Sequence, residues 1–110
     1  MAYNTIMVFI ETSIFTKEIQ RLISDDHYRM LQTALMLRPD AGKLIRGSGG
    51  LRKIRWNRMG TGKRGALRAI YYWSPPDTLF MLFPYRKSEQ ENLTQDQLKI
   101  LRRMVKELLS

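Results

Sequence analysis

The chain has 110 residues, 44% of them hydrophobic, which suits one domain with a single modest core. With no cysteine and one histidine it has neither the thiols for a disulfide framework or thiolate metal site nor the imidazoles of the usual zinc geometries, so no metal or other cofactor is implied. The net charge of +9 is unevenly spread: residues 1–40 carry four basic and five acidic side chains, whereas residues 41–76 carry nine basic and none acidic.

The run Asn4 to Ile10 is short, apolar and partly β-branched, and predicts an opening strand. Glu11 and Thr12 interrupt it, so it is neither a signal-peptide core nor a membrane span, and a soluble, cytoplasmic protein is expected. The period then changes. Phe15, Ile19, Leu22 and Ile23 fall on one helical face, with Thr12 or Ser13 as N-cap, and Tyr28, Leu31, Ala34 and Leu35 make the stripe of a second helix that begins after Ser24 to Asp26. Pro39 ends that helix. The connection between the two suits a helical hairpin or a kinked helix, and Met30, Met36 and Met81 are expected to fill the core. His27, at the start of the second helix, is expected to cap or lie at the surface.

Asp40 to Gly50 is glycine-rich and predicts an exposed loop with room for a brief strand. Beyond it, Leu51 to Trp56 and Ala66 to Trp73 read as two strands of a hairpin whose turn contains Gly60, Gly62, Lys63, Arg64 and Gly65. In the first, alternation sends Ile54 and Trp56 to the core and Lys53 and Arg55 to the opposite face. In the second, Arg68, Ile70 and Tyr72 share one face while Leu67, Ala69, Tyr71 and Trp73 share the other. Thr78 to Phe83 is a nearly continuous apolar strand, buried on both faces, which Pro84 limits or bulges near its end. Thr94 and Gln97 have capping-box spacing ahead of Leu98, Leu101, Val105 and Leu108, an amphipathic final helix. The order β-α-α-β-β-β-α predicts an α+β fold, helices packed on a small, mostly antiparallel sheet.

Nine of the 19 basic residues lie between Lys43 and Arg68, with no acid among them. A patch so concentrated seeks a polyanion, and because it lies on strands with glycine turns rather than on one face of an amphipathic helix, nucleic acid suits it better than a membrane. Nucleophilic triads lack a suitably placed base, and the Gly60-Gly62-Lys63 sequence is no phosphate-binding loop, since Arg64 replaces the required Ser or Thr and Asn57 stands where the first glycine belongs. What remains is phosphodiester chemistry that uses positive charge. RNA carries its own nucleophile in the 2′-hydroxyl; a protein need hold the bond in line, stabilise the phosphorane with Arg or Lys, and supply a proton to the leaving oxygen.

The element order, the segment Gly49-Gly50-Leu51-Arg52-Lys53-Ile54-Arg55, the Gly62-Lys63-Arg64-Gly65 turn leading into Arg68-Ala69-Ile70-Tyr71-Tyr72, and the late Tyr85-Arg86-Lys87-Ser88-Glu89 resemble the RelE/ParE toxin superfamily, nearest to its HigB-type branch. The resemblance implies a RelE-like fold with an N-terminal helical hairpin and a C-terminal helix, and a ribosome-dependent endoribonuclease that cuts translated mRNA in the A site and is neutralised by a HigA-type antitoxin. Carried over residue by residue, it implies catalytic roles for Lys53, Arg55, Arg68 and Lys87. Arg46, Arg52, Arg58, Lys63, Arg64, Tyr85 and Arg86 are the expected RNA- and ribosome-binding residues, Tyr85 standing in for a stacking tyrosine that the family often has just after this motif. Two other readings stand beside it: a ParE-like gyrase poison, which shares the fold without needing a cationic RNA-cutting centre, and a non-enzymatic basic nucleic-acid-binding module.

Overall fold

Thr12 turns the chain from its first strand into its first helix. Its Oγ1 accepts the Phe15 N–H at 3.0 Å as N-cap and donates to the Leu82 carbonyl at 2.8 Å, so one hydroxyl starts the helix and fastens it to the sheet. The computed structural model describes residues 6–56 and 66–110. In chain order they form β1 (Val8–Glu11), α1 (Ser13–Leu22), α2 (Asp25–Leu37), β2 (Lys43–Leu44), β3 (Arg52–Trp56), β4 (Leu67–Ser74), β5 (Thr78–Arg86) and α3 (Gln95–Leu109). The five strands make one sheet in the order β1-β5-β4-β3-β2; β1 runs parallel to β5 and every other pair is antiparallel. This is the expected α+β arrangement. The brief strand in the glycine-rich loop is present as β2, and β1 begins at Val8, with Ile6 and Met7 outside it and Asn4 among residues not described.

The helices cover both faces of the sheet. Phe15, Ile19 and Leu22 of α1 and Leu31 and Leu35 of α2 pack on Ile54, Leu67, Ala69, Tyr71, Leu79 and Met81. Leu101 and Val105 of α3 pack on the other face against Leu51, Ile70, Phe80, Leu82 and Tyr85. The alternation expected of β3 and β4 is therefore the observed one, and β5 serves both cores. Ser24 caps α2 by accepting the His27 N–H at 3.2 Å, with His27 Nδ1 at 2.5 Å from the same hydroxyl, and α2 ends at Arg38, one residue before Pro39. Thr94 and Gln97 form the capping box of α3.

Three expectations need correction. Met81 is fully buried, but Met30 and Met36 are 56% and 46% exposed, because Leu31 and Leu35 define the inward stripe of α2 and these methionines fall outside it. Leu108 is also substantially exposed, in the last turn of α3. Pro84 does not limit β5, which runs on to Arg86; it pairs with Ala69, and the register shift comes earlier, where Tyr71 opposes Met81 and Ile70 opposes Phe83. Proline is tolerated there because β1 pairs only with Thr78 to Met81, so the far half of β5 has no neighbour on that side among the described residues.

The bulge has a consequence for the site. With Leu82 as the extra residue, Leu79 and Met81 face α1 and α2, but beyond it Phe83 and Tyr85 face the α3 side and Arg86 faces α1. The loop before β3 is held by two internal devices. The buried Tyr71 hydroxyl donates to the Pro39 carbonyl at 2.7 Å and accepts the Gly42 N–H at 2.8 Å, and a Cβ at Gly42 would lie 2.7 Å from the Tyr71 ring. Buried Ser48 donates through Oγ to the Ile45 carbonyl at 2.6 Å and accepts the Leu51 N–H at 2.9 Å. Among the described residues no helix is long and apolar enough to cross a membrane.

Candidate active site

Strand register builds the site. Arg55 of β3 lies directly opposite Arg68 of β4, which lies opposite Tyr85 of β5, making one row across three strands. In the next row Lys43 of β2 opposes Lys53 of β3. All five side chains project from the sheet face that carries α3, because alternation within each strand and the bulge in β5 bring them there. Since β2 pairs with only Arg52 and Lys53, the outer edge of β3 from Ile54 to Trp56 has no strand partner among the described residues. A cleft of about 770 Å³ opens across that edge.

Among the described residues six cations line the cleft, Arg38, Lys43, Lys53, Arg55, Arg68 and Lys87, against one carboxylate, Glu91. Ala34, Ala41, Ile54 and Trp56 supply its apolar wall, and Asn92 stands beside Glu91. Arg68 is the buried member, 5% exposed, and its Nη1 has no hydrogen-bond partner among the described residues. Burial lowers its pKa from the ordinary arginine value and repulsion from Arg55 lowers it further, while Tyr85 acts weakly the other way. Across the strands Arg68 faces Arg55 and Tyr85 rather than carboxylates.

Lys87 reaches the cleft because the end of β5 is clamped. Its N–H donates to the Ala66 carbonyl at 3.2 Å, and the Arg86 carbonyl accepts from the N–H groups of Glu89 and Gln90. The Arg86 guanidinium donates to the Leu22 carbonyl at the end of α1, where helix carbonyls lack internal partners and the dipole favours a cation. Arg21 adds ion pairs to Glu89 at 3.0 Å and Glu18 at 2.8 Å. From the α3 side, Gln90 Nε2 donates to Gln97 Oε1 at 2.6 Å.

The structure therefore brings Lys53, Arg55, Arg68 and Lys87 to one cleft. Arg86 is not with them, since it is turned toward α1, and Arg52 Nη1 is occupied by the carbonyls of Asp40 and Gly42 at 3.1 and 2.8 Å. Arg46 is exposed in the loop before β3. Tyr85 is 4% exposed, its ring stacked on Phe83 at 5.9 Å, and burial raises its pKa, so stacking on an RNA base would require opening the core. Arg58, Lys63, Arg64 and the turn that holds them lie outside the described residues. Sequence reasoning did not single out Arg38, which lies just before the basic segment at the end of α2, nor Glu91 and Asn92, which are remote from it and carry no local pattern; Lys43 was visible as the first member of that segment.

Arg68, buried and with no partner for its Nη1 among the described residues, thus stands among further cations beside the open edge of β3, and the architecture around it is the one the sequence resembled. A family model described as the RelE toxin of the RelE/RelB toxin–antitoxin system matches residues 8–110, spanning all the described strands and helices, and the chain belongs to that family of toxins.

Proposed function

We propose that the protein is a ribosome-dependent endoribonuclease of the HigB type that cuts translated mRNA in the A site and is neutralised by a HigA-type antitoxin. The observation that carries this reading is Arg68, buried on the cleft floor between Arg55 and Tyr85 with an Nη1 that no group among the described residues satisfies. The reaction is intramolecular in the RNA. The 2′-oxygen attacks the adjacent phosphorus as its proton leaves to a base, the bond from phosphorus to the 5′-oxygen breaks, and that oxygen takes up a proton, leaving a 2′,3′-cyclic phosphate and a 5′-hydroxyl.

In this scheme Arg68 meets the charge that develops on the phosphorane oxygens, its environment already organised and poorly solvated. Arg55 stays charged and its planar fork suits two phosphate oxygens, so it holds the strand in line beside Arg68. Lys53, Lys87 and Glu91 are the cleft groups able to exchange protons with the nucleophile and the leaving oxygen. The antitoxin acts by screening this face or by holding the toxin from the ribosome, and an acidic segment in it fits the charge best.

Primer extension on a message translated in a cell-free extract tests the reading. Cuts in register with codons, absent when translation initiation is blocked, are expected. Inhibition of gyrase supercoiling without cuts would overturn it in favour of a ParE-like poison, and neither effect would leave a non-enzymatic binding module.

A further inference from the structure

The final helix carries a second cationic feature that the cleft does not use. Lys99, Arg102, Arg103 and Lys106 recur at i, i+3, i+4 and i+7, so they share one face of α3 over about 10.5 Å of its axis, beside the inward Leu101 and Val105. All four are exposed, and they alone line a groove of about 310 Å³ that shares no residue with the cleft. Like charges at these spacings destabilise a helix. Among the described residues the ion pairs are those of Arg21 with Glu18 and Glu89, and none reaches α3. The stripe borders the loop before β3, where a Cβ at Gly49 would lie 3.8 Å from Arg102 Nε and where Arg46 is exposed. Because α3 packs on the sheet face from which Lys53, Arg55 and Arg68 project, cleft and stripe belong to the same side of the molecule.

We propose that this α3 stripe is a second RNA contact, which grips the phosphate backbone of ribosomal RNA while the cleft takes the message; the inference rests on the ribosome-dependent reading above. Phosphates recur without gaps along a backbone, so a row of lysines and arginines finds a partner at each position, and the arginine forks pair with phosphate oxygens in two bonds. An acidic protein segment offers no such regular series. A helix face is suited to a folded RNA of fixed shape, and a groove that shares no residue with the cleft is set apart from the nucleotides around the scissile bond. The contact is electrostatic and sequence-independent: it supplies affinity and orientation, not the chemical step.

The test compares wild-type toxin with K99A/R102A/R103A/K106A, and with the milder R102Q/R103Q in case the fourfold change impairs folding, each checked by circular dichroism. Binding to ribosomes programmed with a short message is measured over a range of salt, together with single-turnover cleavage against ribosome concentration. The fourfold variant should lose about tenfold or more in ribosome affinity near 0.1 M salt, and its slope of log K against log salt should flatten by about 3, close to one counterion per lost phosphate contact. The loss should appear in the ribosome concentration needed for half-maximal cleavage rather than in the rate at saturation. Unchanged affinity and slope, with wild type binding and cutting, would overturn the proposal alone. A loss that disappears when the message is shortened to the A-site codon would assign the stripe to the message, and a loss seen only in antitoxin affinity would assign it to an acidic protein; either overturns it. Wild-type toxin that neither binds nor cuts on ribosomes would remove the parent reading as well.

Discussion

Replacing Arg68 by Met separates the demands of the site from those of the fold. Arg68 is 5% exposed, its Nη1 has no partner among the described residues, and Arg55 lies directly across the strand pair. A buried donor left unsatisfied costs about 1–3 kcal/mol, and methionine fills much of the same space without a donor or a charge. Arg68→Met should therefore hold or raise stability, a gain of about 1 kcal/mol corresponding to roughly 4–8 °C in a domain of this size. Cleavage should move in the opposite direction. Loss of one transition-state charge stabiliser lowers the chemical step by about 10²–10³, or about 2.7–4 kcal/mol, whereas ribosome affinity falls far less because the other cations remain. Thermal melting and single-turnover primer extension on the same preparation measure both effects. Unchanged cleavage by the folded variant would refute the catalytic assignment and move it to Lys53, Arg55 or Lys87. A melting temperature lowered by several degrees would show instead that the guanidinium is a stabilising part of the sheet.

Tyr71→Phe removes the hydroxyl that serves Pro39 and Gly42, leaving a buried N–H without its partner, and should cost about 1–3 kcal/mol in denaturant titration, with cleavage per folded molecule retained. Gly42→Ala should destabilise the same junction, since its Cβ would press on the Tyr71 ring, and expansion of that loop should appear as faster amide exchange around Gly42. Burial raises the pKa of Tyr28, Tyr71 and Tyr85 above the ordinary phenol value of about 10. The unfolded chain therefore loses these protons first: stability is fully present below about pH 10 and falls as pH rises beyond it, and Tyr85→Phe should flatten that decline in alkaline denaturant titrations. Cleavage should persist when EDTA is added and polyamines support the ribosome, because the cleft offers one carboxylate and no histidine or cysteine to hold a catalytic ion; a strict requirement for a toxin-bound metal would refute the scheme.

The local chemistry of the chain is enough to read much of this fold. The stripes of α1 and α2, the capping box of α3 and the alternation in β3 and β4 are properties of neighbouring residues, so Ile54 inward and Lys53 and Arg55 outward follow from the period of a strand alone. The acid-free stretch from Lys43 to Arg68 is likewise legible as a concentrated basic patch. Burial of methionine was misread although the same pattern decides it, because Met30 and Met36 lie off the stripe that Leu31 and Leu35 define. The site itself depended on contacts distant in sequence. Register alone sets Arg68 opposite Arg55 and Tyr85, and the bulge at Leu82 decides that Tyr85 joins that row while Arg86 swings to α1 and leaves Lys87 at the cleft. A strand of period two reverses every side chain beyond one inserted residue, and nothing local in Phe80 to Arg86 marks where the insertion falls. Glu91, Asn92 and Arg38 entered the cleft for a related reason: the turn after β5 and the end of α2 are brought to the open edge of β3 by packing, which no spacing along the chain encodes.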